Sequence, residues 1–150
     1  MEQNLMARFN YFDTMAKAQK GYGRLMDPIC KKWDLTRNEL DVLLFLANNP
    51  DFDRAVDIVN NRGLSKSHVS LSITNLERKG LLKRLDDPDD RRTVHLRLLP
   101  AAEEITIAGQ LAQRRFFSYL HQGVSQEQID LMIDFARKVN DNIKNIEEVI

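Results

Sequence analysis

The sequence predicts a mainly helical fold with one small β-hairpin, and three observations predict it. Between Ser65 and Gly80, Val69, Ile73 and Leu76 recur at helical spacing, so this stretch reads as a short amphipathic helix. Directly after it, Leu81 to Leu85 and Thr93 to Leu98 read as two strands of a hairpin. Outside this centre, apolar residues repeat in steps of three and four along the N- and C-terminal stretches, the pattern of helices that pack along other helices.

Taken in chain order, Leu5, Phe9, Phe12 and Ala16 give the first helix an apolar face, and Gly21 and Gly23 weaken its middle. Ala55, Ile58 and Val59 form a second, shorter face, closed by a turn at Asn60-Asn61-Arg62-Gly63. Ser65 suits a helix N-cap, because its hydroxyl can take an unpaired backbone N–H of the first turn. Gly80 ends that helix in the left-handed conformation that glycine adopts cheaply. Helix, glycine-containing turn and second helix make a helix-turn-helix.

In the hairpin, Val94, Leu96 and Leu98 alternate with Thr93, His95 and Arg97, which predicts one buried and one wet face. The connection, Asp86-Asp87-Pro88-Asp89-Asp90-Arg91-Arg92, is long and crowded with charge. With the hairpin included, residues of about 35–99 read as a winged helix-turn-helix. A calcium loop is excluded, since the glycine and distal glutamate it needs are missing.

The last helix starts at Ser125, with Gln128 as its capping-box partner. Ile129, Met132, Ala136, Val139, Ile143, Ile146 and Ile150 then form an a/d seam, widened by Ile133 and Phe135. Ile105, Ala108, Leu111, Ala112 and Phe116 give the preceding helix a similar face. Helices within about 1–31 and 101–150 are therefore expected to dimerise, within a single domain spanning 1–150.

A chain of 150 residues suits one compact domain, able to bury roughly 68–70% of its unfolded surface. No apolar run is long enough to cross a bilayer. The N-terminal residues carry no basic-then-apolar signal, and the expectation is a cytoplasmic protein with no membrane partner. One cysteine excludes an internal disulfide. Formal net charge is zero, yet residues 54–97 hold ten Lys/Arg against six Asp/Glu, and four of those six acids sit in the hairpin loop. The rest of that segment is strongly basic, the footprint expected for phosphates.

Four segments carry a family resemblance: Leu35-Thr36-Arg37-Asn38-Glu39, Leu64-Ser65-Lys66-Ser67-His68-Val69-Ser70, Leu76-Glu77-Arg78-Lys79-Gly80-Leu81-Leu82-Lys83-Arg84, and Asp86 to Arg92. In order and spacing the chain resembles the multiple antibiotic resistance regulators, the MarR family, over nearly its whole length. It departs from the family at Leu71, where an arginine is common, and at Leu98-Leu99-Pro100-Ala101-Ala102, where Leu-Thr-x-x-Gly is usual. The resemblance implies terminal helices that interlock with those of a second subunit. It also implies a small, often aromatic, effector bound in a crevice between the dimer platform and the winged domain. Tyr22, Met26, Trp33 and Phe45 lie near that crevice, but methionine and aromatic residues at helical spacing are more often core, and none is assigned to a ligand.

The expected partners are double-stranded DNA and a second copy of the chain. Two symmetry-related helices near one turn of B-DNA apart, ~34 Å, would read a pseudo-palindromic operator. Ser67, His68, Ser70, Leu71, Thr74 and Asn75 face outward or sideways and are assigned to base readout, with Asn75 suited to adenine and Leu71 to a thymine methyl. Arg54, Ser65, Lys66 and Arg78 are assigned to phosphates, which position without specifying. By the resemblance, Arg92 enters the minor groove while Asp90 orients its guanidinium, and Arg91 is an alternative probe or phosphate contact.

Other chemistry finds little footing. Cys30 precedes Trp33 beside Lys31 and Lys32, but a buried structural thiol is the commoner case. His68, His95 and His121 show no ligand spacing, so no metal and no cofactor are expected. No nucleophile–base pair or phosphate loop stands out, and no enzymatic activity is expected. The reading is a ligand-responsive repressor. Its alternative is a winged-helix module that binds protein and has lost sequence-specific DNA binding, distinguishable by the salt dependence of binding to duplex DNA.

Overall fold

The computed structural model describes residues 11–147. Its elements are α1 (Tyr11–Lys32), α2 (Arg37–Asn48), α3 (Ala55–Arg62), α4 (Lys66–Arg78), β1 (Leu82–Asp86), β2 (Val94–Leu98), a 3₁₀ turn (Pro100–Ala102), α5 (Glu103–Leu120) and α6 (Gln126–Glu147). The predicted fold class holds: helices dominate and a two-stranded antiparallel hairpin is the only sheet among the described residues. The chain divides into two compact units at Phe116 and Phe117.

In the first unit, α2 is the hub. Seven of its twelve residues are buried, Leu40, Val42, Leu43 and Leu44 almost completely. A Thr36–Glu39 capping box starts it, the Glu39 N–H donating to Thr36 Oγ and the Thr36 N–H donating to Glu39. Met26 from α1, Ile58 from α3, Val69, Ile73 and Leu76 from α4, Leu82 and Leu96 from the hairpin and Ile105 from α5 complete the core. Helix α5 approaches α2 at Gly109, where a Cβ would stand 2.5 Å from a Leu44 methyl. Only glycine allows that approach.

The Val69, Ile73 and Leu76 stripe is buried as expected, and Ser72 joins it inside. Gly80 takes φ +71 and turns the chain from α4 into the hairpin. The strands pair from Leu82↔Leu98 to Asp86↔Val94. Leu96 N–H also donates to Asp53 O at 2.7 Å, tying the hairpin to the segment before α3. Met26 and Phe45 are core, and Tyr22 and Trp33 pack against it.

Some boundaries and faces move. Helix α3 runs on to Arg62 rather than turning at Asn60, and Gly63, in the left-handed region at φ +66, ends it. Gly21, Gly23 and Pro28 all lie inside a continuous α1. Val94 is 37% exposed and only Leu96 of its row is fully buried, since a hairpin covered on one side near its base leaves its far end open. Leu111 points away from the buried face of α5 that Ile105 and Gly109 share, and with Ile107 forms a second apolar strip. The departure at Leu98–Ala102 is structural too: Pro100 opens a 3₁₀ turn before α5 begins at Glu103.

In the second unit, Ser125 and Gln128 form the expected reciprocal cap, at 2.9 and 3.2 Å. Ile129 and Val139 of the seam are half-buried, while Met132, Ile143 and Ile146 are about half exposed. Leu5, Phe9 and Ile150, assigned to the terminal faces, lie outside the described residues. No helix of the described residues is long and apolar enough to cross a membrane.

Candidate nucleic-acid interface

The expected reading surface is built on α4, and its two halves differ. At the start, Ser65 Oγ accepts the His68 N–H at 3.2 Å and caps the helix. Over the next two turns Lys66, Ser67, His68, Ser70 and Leu71 are exposed, Leu71 by 60%. These side chains are short or slender, so nothing holds the helix back from a groove floor.

The later turns are tied to the scaffold. Thr74 Oγ1 donates to Ser70 O at 3.1 Å and accepts from Arg84 Nη2 of β1 at 3.2 Å. The same arginine pairs with Glu77, whose carboxylate also accepts the Arg84 N–H. Asn75 is half-buried and turned sideways, toward α2. Its Nδ2 donates one hydrogen to Glu39 Oε1 at 3.1 Å, which fixes the amide against the scaffold.

Glu39 is the centre of that inner network and is only 2% exposed. Burial pushes its carboxyl pKa up. Bonds from Lys79 Nζ at 2.9 Å, the Thr36 N–H and the Asn75 amide outweigh that cost and leave it below the usual carboxylate range. Sequence reasoning gave Glu39 no role, although Thr36-x-x-Glu39 is itself a legible capping-box signature.

Among the expected phosphate contacts, Lys66 and Arg78 are exposed. Arg54 is held by a neighbouring acid. Its Nε and Nη2 hold the Asp57 carboxylate at 3.3 and 3.2 Å, which raises the guanidinium pKa and offsets its charge.

At the hairpin tip the acids hold backbone and leave the arginines out. Asp87 Oδ1 accepts the N–H groups of Asp89 and Asp90 at 2.8 and 3.0 Å, so it caps the turn. Asp90 was expected to orient the Arg92 guanidinium. Instead its Oδ1 accepts the Arg92 backbone N–H at 3.0 Å and its Oδ2 the Thr93 hydroxyl at 2.8 Å, an Asx-type turn that fixes where Arg92 leaves the chain. These bonds hold the Asp90 carboxyl below its ordinary range. Arg91 and Arg92 are both exposed.

Behind the tip, His95 stands between two carboxylates: Nδ1 lies 2.8 Å from Asp53 Oδ1 and Nε2 lies 2.9 Å from Asp87 Oδ2. Only the protonated ring can donate to both. Asp87 and then Asp53 raise the His95 pKa, and the His95 contact draws Asp87 down. Sequence reading placed His95 on a wet face without this role, since Asp53 lies on a separate segment of the chain.

Between α3, α4 and the hairpin runs a groove of about 400 Å³. Val56, Val59, Val69, Ile73, Val94 and Leu96 wall it, and Lys66, Ser70 and Arg84 supply its polar side. Elsewhere, burial pushes the Cys30 thiol pKa up, with only partial opposition from Arg37, so it is not an activated thiolate. No group of His, Cys, Asp or Glu suited to a metal ion occurs among the described residues.

Comparison with known proteins agrees with this fold. Residues 33–93 match the family model described as MarR family. The uncharacterized HTH-type transcriptional regulator YdgJ of Bacillus subtilis (strain 168) is 26% identical over 113 residues, covering 75% of this chain and 68% of that protein. Staphylococcus aureus MarR in complex with salicylate and kanamycin has a similar fold, with TM-score 0.71 and 17% identity over 95% of this chain and 96% of that one. The S. aureus MepR–DNA complex is similar at TM-score 0.54 and 21% identity, covering 89% and 98%.

Proposed function

We propose that the chain, whose residues 33–93 match the MarR family model, is a transcriptional regulator of that family and not an enzyme, a ligand-responsive repressor acting in the cytoplasm. It binds sequence-specific double-stranded DNA as a homodimer on a pseudo-palindromic operator. One observation carries the reading: a polar surface on the first turns of α4, uncharged apart from Lys66, stands beside a hairpin whose tip exposes Arg91 and Arg92. The helix surface suits base edges in a major groove. The arginines suit the negative potential of a minor groove. The half-exposed seam of α6 and the Ile107–Leu111 strip of α5 support a second copy of the chain as partner, which would bring two such surfaces to one duplex.

Repression follows from occupancy of the operator, and relief from an effector that binds the DNA-free state more tightly. The groove beside α4 favours a small aromatic anion as that effector, because its walls are apolar and the Lys66 ammonium stands at its polar side.

The test is binding of the full chain to duplex DNA against salt concentration. A steep loss of affinity with salt is expected, as counterions are released from each neutralised phosphate. Arg92→Ala should weaken binding and flatten the logarithmic salt slope by about 1. Binding that ignores salt, or none at low ionic strength, would overturn the proposal and leave the protein-interaction module.

A further inference from the structure

The two halves of α4 do different work. Along its outward row, Ser67 and Leu71 are followed one turn on by Thr74, and Asn75 lies beside that row. Helical periodicity alone makes all four equivalent, but their hydrogen bonds separate them: Ser67 Oγ meets only the capping Ser65 Oγ, 3.1 Å away at the helix start, whereas Thr74 and Asn75 bind other elements. Thr74 has spent its hydroxyl hydrogen on Ser70 O and accepts Arg84 from the hairpin. Asn75 has turned its amide onto the buried Glu39, which Lys79 also holds. One bond fixes the helix to the hairpin and the other fixes it to the N-terminus of α2.

We propose that base identity is read by the first two turns of α4 alone, through Ser67, His68, Ser70 and Leu71, while Thr74 and Asn75 are positioning residues that set the angle of the helix in the groove. The inference rests on the reading of the chain as a sequence-specific DNA-binding regulator, and narrows it to four side chains. A reader loses discrimination at particular base pairs when it is truncated. A positioning residue loses affinity for every sequence together, because the whole helix shifts against the phosphates.

The experiment selects duplexes from a randomised pool with the full-length wild-type chain, then compares variants on the selected duplex and its single-base substitutions. Thr74→Val keeps the branched shape and removes the hydroxyl. It and Asn75→Ala should weaken binding to matched and substituted duplexes by the same factor, with every base preference retained. Thr74→Ser should restore affinity. Ser70→Ala and Leu71→Ala should each lose about fivefold or more of discrimination at one or two positions in each half-site. If Asn75→Ala does not fold, Glu39→Gln replaces it. The glutamine keeps an oxygen for the Asn75 amide but lacks the charge that holds Lys79, and uniform weakening is again expected.

Loss of preference at one base pair in Thr74→Val, Asn75→Ala or Glu39→Gln would overturn the inference and leave the regulator reading standing. Full preference in both Ser70→Ala and Leu71→Ala would do the same. A wild-type chain that enriches no sequence would overturn both.

Discussion

Helix α4 and the hairpin that follows it are adjacent in sequence, yet they are held in place by different physics. The helix rests on Val69, Ile73 and Leu76, each at most 2% exposed, and needs polar bonds only to trim its angle. The hairpin buries Leu82 and Leu96 near its base and then runs out into solvent. Beyond Leu96 it is organised by carboxylates: Asp87 and Asp90 on turn N–H groups, Asp53 and Asp87 on His95. Burial is insensitive to pH and salt, whereas exposed charge-assisted bonds respond to both. One element is therefore a fixed template and the other a tunable arm.

Two substitutions in α4 sharpen that contrast. Ile73→Ala should show the largest effect, since a buried isoleucine cut to alanine typically costs about 2–5 kcal/mol. Denaturant melts would measure it. A loss below about 1 kcal/mol would show that the helix does not stand on its buried stripe. Ser65→Ala removes the oxygen that accepts the His68 N–H and should cost about 1 kcal/mol by the same melts. Its effect belongs to the first turn, so amide exchange should rise there and stay unchanged in the hairpin.

The same contrast explains what could be read from the sequence. The buried stripe of α4, its Ser65 cap and its Gly80 stop were legible because periodicity and capping are local, written within four residues of one another. The Ser125–Gln128 cap was legible for the same reason. The bonds that sort readers from braces were not. Asn75 and Glu39 are thirty-six positions apart and His95 and Asp53 forty-two, so only the fold brings them together. Asp90 shows an intermediate case. Its closeness to Arg92 was visible, but an aspartate two residues back can hold either the backbone or the guanidinium, and spacing does not distinguish them. Leu111 failed differently: a helix apolar on two sides has no single face for a periodicity count to find.

The smallest expected effect would test whether the arm is tunable. His95 faces Asp53 from the segment before α3 and Asp87 from the hairpin loop, and these contacts raise its pKa. A raised histidine pKa contributes stability that is complete below the ordinary value of about 6.5 and is lost as pH rises through the folded value. Asp87 has the opposite sense: its lowered pKa contributes above the ordinary carboxylate range and is lost as pH falls through the folded value. The clamp is therefore whole only between those two folded values, and alkaline pH opens it from the His95 side. The Leu96 N–H, bonded to the Asp53 carbonyl, reports on it directly. Its exchange protection, corrected for intrinsic rate, should fall as pH rises through the His95 titration seen by NMR. His95→Gln should flatten that dependence, while the Val69 N–H of α4 stays unaffected in both proteins. If His95 titrated at or below its ordinary value, or Val69 followed Leu96, hairpin and helix would share one mode of support and the contrast between them would fail.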